Sequence, residues 1–270
     1  MNTGLKNQVV LITGASGGIG SSCAHKMSEE GARLVLHGNT NIKKAERLSK
    51  SLEAETLPLQ ADLRKEEQVK KLFQKIDEKF GGLDVLVANA GIWPEGETPI
   101  HEMSLERWEN TIRTDLTSVF LCAREFFRFL DRDRPEHASM VIIGSTAAVF
   151  GEENHSDYSA AKAATTYGLT RSLKNEITRI VPRGRVNAVC PGWTKTRMAD
   201  SGLSNMDNLT KAIQTRSIKR VGRPGEIADA VTFLASDKLA SHITGEALTV
   251  AAGMEGRVLH SPEEIDPDTV

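Results

Sequence analysis

The chain has 270 residues, of which 39% are hydrophobic and 26% charged, and its formal charge is −2 at pH 7. That length suits one large α/β domain with a sizeable core, while the near-balanced charge excludes a global basic footprint for nucleic acid or an anionic membrane surface. No apolar run approaches the roughly twenty residues of a membrane-spanning helix.

The first apolar run, "QVVLIT" (8–13), ends at Thr13 and Gly14, too early for the core of a secretory signal. Cys23, Cys122 and Cys190 are odd in number and scattered. They read as free thiols of a reducing compartment, with neither a disulfide frame nor a metal site. A cytoplasmic protein is expected.

Further short runs rich in Val, Ile and Leu follow at 33–37, 55–61, 83–88, 139–144, 185–190 and 246–250. Segments 41–53, 66–80, 104–131 and 157–181 lie between them, with apolar residues at helical spacing. Runs apolar on both faces and separated by helices predict a buried parallel sheet with right-handed crossovers. The expected fold class is therefore α/β, a doubly wound parallel sheet in three α/β/α layers, as a single domain over residues 1–270. Ser104 and Pro224 open helices, and Gly31 and Gly81-Gly82 end them. The polar, turn-rich region at about 194–219 is expected to be a substrate lid, and the acidic tail at about 258–270 to be loosely held.

After the first run comes "TGASGGIG" (13–20), with glycines at Gly14, Gly18 and Gly20. A glycine-rich turn feeding a helix presents backbone N–H groups to a pyrophosphate, although such turns also occur for packing alone. At the end of the second run, residues 34–44 hold no carboxylate, whereas an acid there would bind the ribose hydroxyl of NAD and repel the extra phosphate of NADP. His37 and Asn39 can donate hydrogen bonds beside Gly38, and Lys43, Lys44 and Arg47 follow, either as phosphate partners or as a solvated face. NADP(H) is favoured, with NAD(H) left open. Asp62, followed by Leu63, suits the adenine amino group or a helix cap. Asn89, Ala90 and Gly91 stand at the carboxyl edge of the sheet, where Asn89 either meets the ligand or ties turns together.

Residues 157–168 read "DYSAAKAATTYG", which puts Tyr158 and Lys162 four apart on one helix face. Ser145 ends the preceding strand. An unperturbed phenol, with a pKa near ~10, exchanges protons poorly at neutral pH, and a neighbouring ammonium lowers that value. A hydroxyl, a phenol and an ammonium converging beside a nicotinamide suit hydride transfer between a carbonyl and a secondary alcohol. Trp93, Phe150, His155, Trp193 and Met198 are candidates for the substrate pocket, or for plain loop packing.

"TGASGGIG", "NAG", Ser145, "YSAAK", "PG" (191–192) and "ITGEALTV" together resemble the short-chain dehydrogenase/reductase family over residues 5–254. The resemblance implies a Rossmann-type sheet. It implies Tyr158 as the acid/base, Lys162 as ribose holder and tuner of the phenol, and Ser145 as partner of the substrate oxygen. It implies a cofactor site of Gly14, Ser16, Ile19, Asp62, Asn89, Lys162 and the Pro191–Thr196 turn with Gly192 and Thr194, and a homo-oligomer, tetramer or dimer. Asp115 in "TDLTS" replaces the family's usual asparagine, which helps hold a water on the proton path, and adds a charge beside Lys162. Two further departures are a long stretch after "YSAAK", where the helix is open to a bulge, and "TVAAG" in place of the usual glycine pair.

"HGNT" and "CPGW" are similar to 3-oxoacyl-[acyl carrier protein] reductases, which implies a thioester carbonyl substrate. "CPGWTKT" also resembles 3-hydroxybutyrate dehydrogenases, which use NAD, but His155 and Trp93 replace the lysine and glutamine of those enzymes. A non-catalytic dinucleotide sensor is the alternative of another class; the presence of both Tyr158 and Lys162 argues against it.

Overall fold

The computed structural model describes residues 2–199, 206–258 and 260–265, with the Asn208 side chain excepted. Seven strands form one wholly parallel sheet in the order β3-β2-β1-β4-β5-β6-β7. They are β1 (Val9–Ile12), β2 (Arg33–Gly38), β3 (Thr56–Gln60), β4 (Val85–Ala88), β5 (His137–Ile143), β6 (Arg183–Pro191) and β7 (Ala247–Val250). Both faces are covered by helices, which is why the strand runs do not alternate in polarity. Val9 and Leu11 pack towards Phe73 and Phe126, in α3 (Glu66–Phe80) and α5 (Ser118–Asp133). Val10 and Ile12 pack on the other face with Met27 of α1 (Gly18–Glu29) and Ile227 of α10 (Pro224–Ala235). Each buried side chain of this size contributes roughly 1.5–3 kcal/mol of transfer free energy.

Strand order reverses between β1 and β4, so a crevice opens beyond their carboxyl ends. The remaining helices are α2 (Ile42–Lys50), α4 (Leu105–Ile112), α6 (Thr146–Phe150), α7 (Ser156–Ala163), α8 (Thr170–Ile177) and α9 (Met206–Gln214). The Ser104 hydroxyl accepts the Arg107 N–H at 3.2 Å and so starts α4, while Gly81 ends α3 with φ 72°.

Two of the expected long helices carry single wide turns. A π segment, Arg113–Thr117, joins α4 to α5, and another, Ala164–Leu169, joins α7 to α8. The second lies in the long stretch after "YSAAK". Each inserts a residue into the helical ladder, and the first carries Asp115 into the protein interior.

The expected lid contains α9; residues 200–205 of it lie outside the described residues, as do 259 and 266–270 of the tail. The expectation of a loosely held tail fails for residues 260–265. Ile265 is buried with Leu209, Ile213 and Val221 and packs against Trp193. His260 Nε2 pairs with the Arg216 carbonyl at 2.8 Å, the Gln214 side-chain amide donates to the His260 carbonyl at 3.0 Å, and Lys219 Nζ donates to the Glu264 carbonyl at 3.1 Å. One isoleucine in an otherwise acidic tail supplies the apolar anchor. No helix among the described residues is long and apolar enough to cross a membrane.

Candidate active site

The turn after β1 is built for close approach. Gly14 has φ 63°, a left-handed conformation that glycine adopts without strain. A Cβ on Gly18 would lie 2.7 Å from Thr196 Cγ2, and one on Gly20 would lie 2.4 Å from the Gly14 carbonyl oxygen. Among the described residues no side chain caps the start of α1, so its first N–H groups remain available to an anion. Asn89 fixes the turn, donating from Nδ2 to the carbonyls of Thr13 at 2.8 Å and Gly14 at 3.1 Å.

Above this turn lies a cavity of about 350 Å³. Of the residues expected from the sequence, Gly14, Ser16, Gly18, Ile19, Gly38, Asn39, Asn89, Ala90, Gly91, Ser145, Tyr158, Lys162, Pro191, Gly192, Thr194 and Thr196 line it, together with Trp93, Trp193 and Met198. An adjoining cavity, sharing Gly14, Asn39, Ala90 and Gly91, adds His37, Asp62 and Leu63. The uncapped helix start, the glycine turn and the open trough of both cavities fit a dinucleotide.

Several expected residues serve differently. Gly20 lies off the wall and acts by letting α1 approach the turn. His37 is buried; its Nδ1 accepts the Gly14 N–H at 3.1 Å and its Nε2 faces the Ala61 carbonyl at 2.9 Å. Both ring nitrogens are therefore committed to backbone, which leaves none for a ribose phosphate, and burial pushes the imidazole pKa down. Both Asp62 oxygens are taken by Arg64, at 2.9 Å from Nε and 3.0 Å from Nη2. Phe150 is off the cavity wall and half exposed, because α6 turns it outwards. His155 is off the wall too, and stacks behind Trp93 with ring centroids 4.1 Å apart.

The wall also holds residues that sequence reasoning passed over, among them Ile92, Gly144, Glu152 and Arg197, with Arg64, Asn110, Thr114 and Ser118 in the adjoining cavity. Ile92 and Gly144 adjoin motif residues, so adjacency was a usable signal. Arg197, between Thr196 and Met198, carried the same signal, whereas for Glu152 there was none.

Tyr158 and Lys162 both lie on α7 and are both buried, with Lys162 Nζ 5.6 Å from the Tyr158 ring centroid. The ammonium is steadied by the Ile143 carbonyl at 3.0 Å. Ser145 forms the N-cap of α6, accepting the Ala147 N–H at 3.1 Å, and shares the cavity wall with Tyr158. Trp93 meets the Tyr158 ring edge-on at 4.9 Å, and Trp193 stands 6.4 Å from Trp93.

The phenol pKa lies above its ordinary value. Burial is the largest cause and outweighs the lowering by Lys162 and Ser145, while Asp115 and Glu152 add to the rise. The lysine effect expected from the sequence is present, but it does not win in the protein alone. Asp115 lies behind Gly91 with its Oδ1 accepting the Ile92 N–H at 2.8 Å. Burial pushes its carboxyl up to about 6, against the pull of Lys162.

The family described as enoyl-(acyl carrier protein) reductase matches residues 14–255. The cis-4-hydroxycyclohexanecarboxylate dehydrogenase of Sinomonas cyclohexanicum is 36% identical, over 94% of this chain and 98% of its own length. The 3-oxoacyl-[acyl-carrier-protein] reductase FabG of Escherichia coli (strain K12) is 35% identical, over 92% of this chain and 98% of its own. The crystal structure of gox2181 superposes with a TM-score of 0.85 at 27% identity, covering 92% of this chain and 95% of that one. With this fold, this crevice and these relatives, the chain belongs to the short-chain dehydrogenase/reductase family and is a nicotinamide-dependent oxidoreductase acting between CH–OH and C=O groups.

Proposed function

We propose that the protein uses NADP(H) to interconvert a carbonyl and a secondary alcohol, with Tyr158 as the proton-transferring group. The observation that carries this reading is the convergence of Tyr158, Lys162 and Ser145 on the cavity that also holds the glycine turn. Gly14, Ser16, Gly18 and Ile19 would hold the pyrophosphate at the start of α1, and Asn89, Ala90, Gly91 and the Pro191–Thr196 turn would flank the rest. When bound, the nicotinamide supplies or takes the hydride. Ser145 orients the substrate oxygen, and the Tyr158 phenol gives its proton to that oxygen during reduction. Lys162 stabilises the phenolate left behind and holds the ribose. The buried, aromatic-walled site keeps bulk water from the transfer.

The preference for NADP(H) rests on the missing carboxylate at residues 34–44 and on Asn39 facing both cavities. His37 is withdrawn from this role, so Asn39 and the exposed Lys43 and Lys44 at the start of α2 are the phosphate partners. Fluorescence titration with NADPH and, separately, NADH tests it. Binding of NADPH tighter by tenfold or more, about 1.4 kcal/mol, is expected. Tighter binding of NADH contradicts it.

For the substrate, the relatives named as 3-oxoacyl-[acyl-carrier-protein] reductases support a 3-oxoacyl thioester. A second reading, a cyclic ketone or alcohol, is favoured by the Trp93 and Trp193 rings on the cavity wall and by the relative that acts on a hydroxycyclohexane acid. Comparing kcat/KM for acetoacetyl thioesters and cyclohexanones separates the two. The buried free thiols and the family resemblance support a cytoplasmic homo-oligomer.

A further inference from the structure

Asp115 is the fully buried carboxylate behind the proton-handling pair. Its Oδ1 takes the Ile92 N–H, and its Oδ2 has no partner among the described residues. A Cβ built on Gly91 would lie 3.1 Å from Asp115 Oδ1 and 3.3 Å from Lys162 Nζ, so the carboxylate and the ammonium both crowd the side of this glycine where a side chain would stand. The π segment holds the carboxylate there: it widens the helix at Arg113–Thr117 and directs Asp115 inwards, away from solvent.

The surrounding charges are few. From α7 come Lys162, Tyr158 and Asp157, and the Asp157 carboxylate is answered by Arg107 of α4 at 3.2 Å and by the Thr111 hydroxyl at 2.8 Å. From the segment before α7 comes Glu152, which faces the cavity. From the start of α6 comes the neutral Ser145. Lys162 favours the phenolate form of Tyr158, and a carboxylate beside it opposes that form at short range in a low-dielectric interior.

We propose that Asp115 biases the site towards carbonyl reduction by holding the proton on the Tyr158 phenol. This rests on the functional reading above. In reduction the phenol O–H must be intact when substrate arrives, its proton passes to the substrate oxygen, and the phenolate regains a proton from solvent. Alcohol oxidation needs the phenolate first. A negative charge behind Lys162 raises the proton affinity of the phenol, which helps the first direction and hinders the second. The Asp115 carboxyl, held near 6, is ionised at neutral pH, where the bias is needed. Asp115 acts through Tyr158 and is a positioning residue.

The chain has two tyrosines, Tyr158 and Tyr167, so a Tyr167→Phe background leaves Tyr158 as the sole phenol for ultraviolet difference titration. Circular dichroism at each pH confirms that the protein stays folded. In this background Asp115→Asn is expected to bring on phenolate absorption at a pH lower by about one unit. The alkaline limb of the pH profile of carbonyl reduction should fall by a similar amount. Asp115→Ser removes the same charge should the amide variant not fold. An unmoved or raised phenolate titration in a folded charge-removed variant overturns the proposal. A lowered titration in a protein that turns over no carbonyl overturns the reduction bias along with the functional reading, and leaves only the coupling of the two groups.

Discussion

The Asn89 side chain joins the end of β4 to the turn after β1, because a single amide nitrogen donates to the carbonyls of Thr13 and Gly14 at 2.8 and 3.1 Å. The same nitrogen lies 2.8 Å from where a Cβ on Gly20 would fall, so helix start, turn and strand end are packed to one tolerance. Asn89→Ala leaves these carbonyls short of a donor and is expected to cost about 1–3 kcal/mol. Gly20→Ala must displace backbone and should weaken dinucleotide binding more than Asn89→Ala does. Urea denaturation with a parallel nucleotide titration reads both effects.

Arg107 secures the helix that carries Tyr158. Its Nε meets the fully buried Asp157 carboxylate at 3.2 Å, and its Nη1 donates to the Gly96 carbonyl at 2.8 Å and Thr98 Oγ1 at 2.6 Å. Arg107→Ala strands a buried charge next to Tyr158, with an expected loss of about 3–5 kcal/mol. Arg107→Ala with Asp157→Asn removes both charges and should recover part of it. Thermal denaturation of the single and double variants checks this.

Asp115 also links stability to pH. Its folded pKa of about 6 lies above the ordinary value of 3.8, so between these values the native state holds the proton more tightly than the unfolded chain. Stability from this group is fully present below about pH 4 and declines as pH rises through about 6, by a total on the order of 3 kcal/mol. Asp115→Asn should flatten that decline. Denaturant midpoints measured from pH 4 to pH 8 in both proteins report it, and a decline as steep in the variant as in the wild type contradicts it.

Ile265 anchors the C-terminal segment against Leu209, Ile213, Val221 and the cavity residue Trp193. Ile265→Ala should loosen α9 and the Trp193 wall, within the usual cost of about 2–5 kcal/mol for such a truncation. Faster amide exchange in α9 and a raised KM are the expected readouts, with little change in exchange at α7.

The sheet and its crevice were legible because unbroken Val/Ile/Leu runs admit few placements other than buried parallel strands, as Val9–Ile12 facing two cores shows. Tyr158 and Lys162 were legible because helical spacing alone puts them on one face. What escaped notice depends on segments far apart in the chain. His37 looks like a polar strand end open to ligand, yet Gly14 and Ala61 close both of its nitrogens. His155 resembles a pocket residue until Trp93 is laid over it. Ile265 is unremarkable in an acidic tail unless α9 is already in place beneath it.

The central claim, that Tyr158 moves the proton in a nicotinamide-linked carbonyl reaction, is tested most directly by Tyr158→Phe. Turnover would be followed by nicotinamide absorbance and dinucleotide affinity by fluorescence in the same preparation. The expected result is a loss of turnover of about 10²–10⁴-fold with cofactor affinity almost unchanged. Turnover kept within a few-fold of the wild type, in a folded and cofactor-binding variant, would contradict the account.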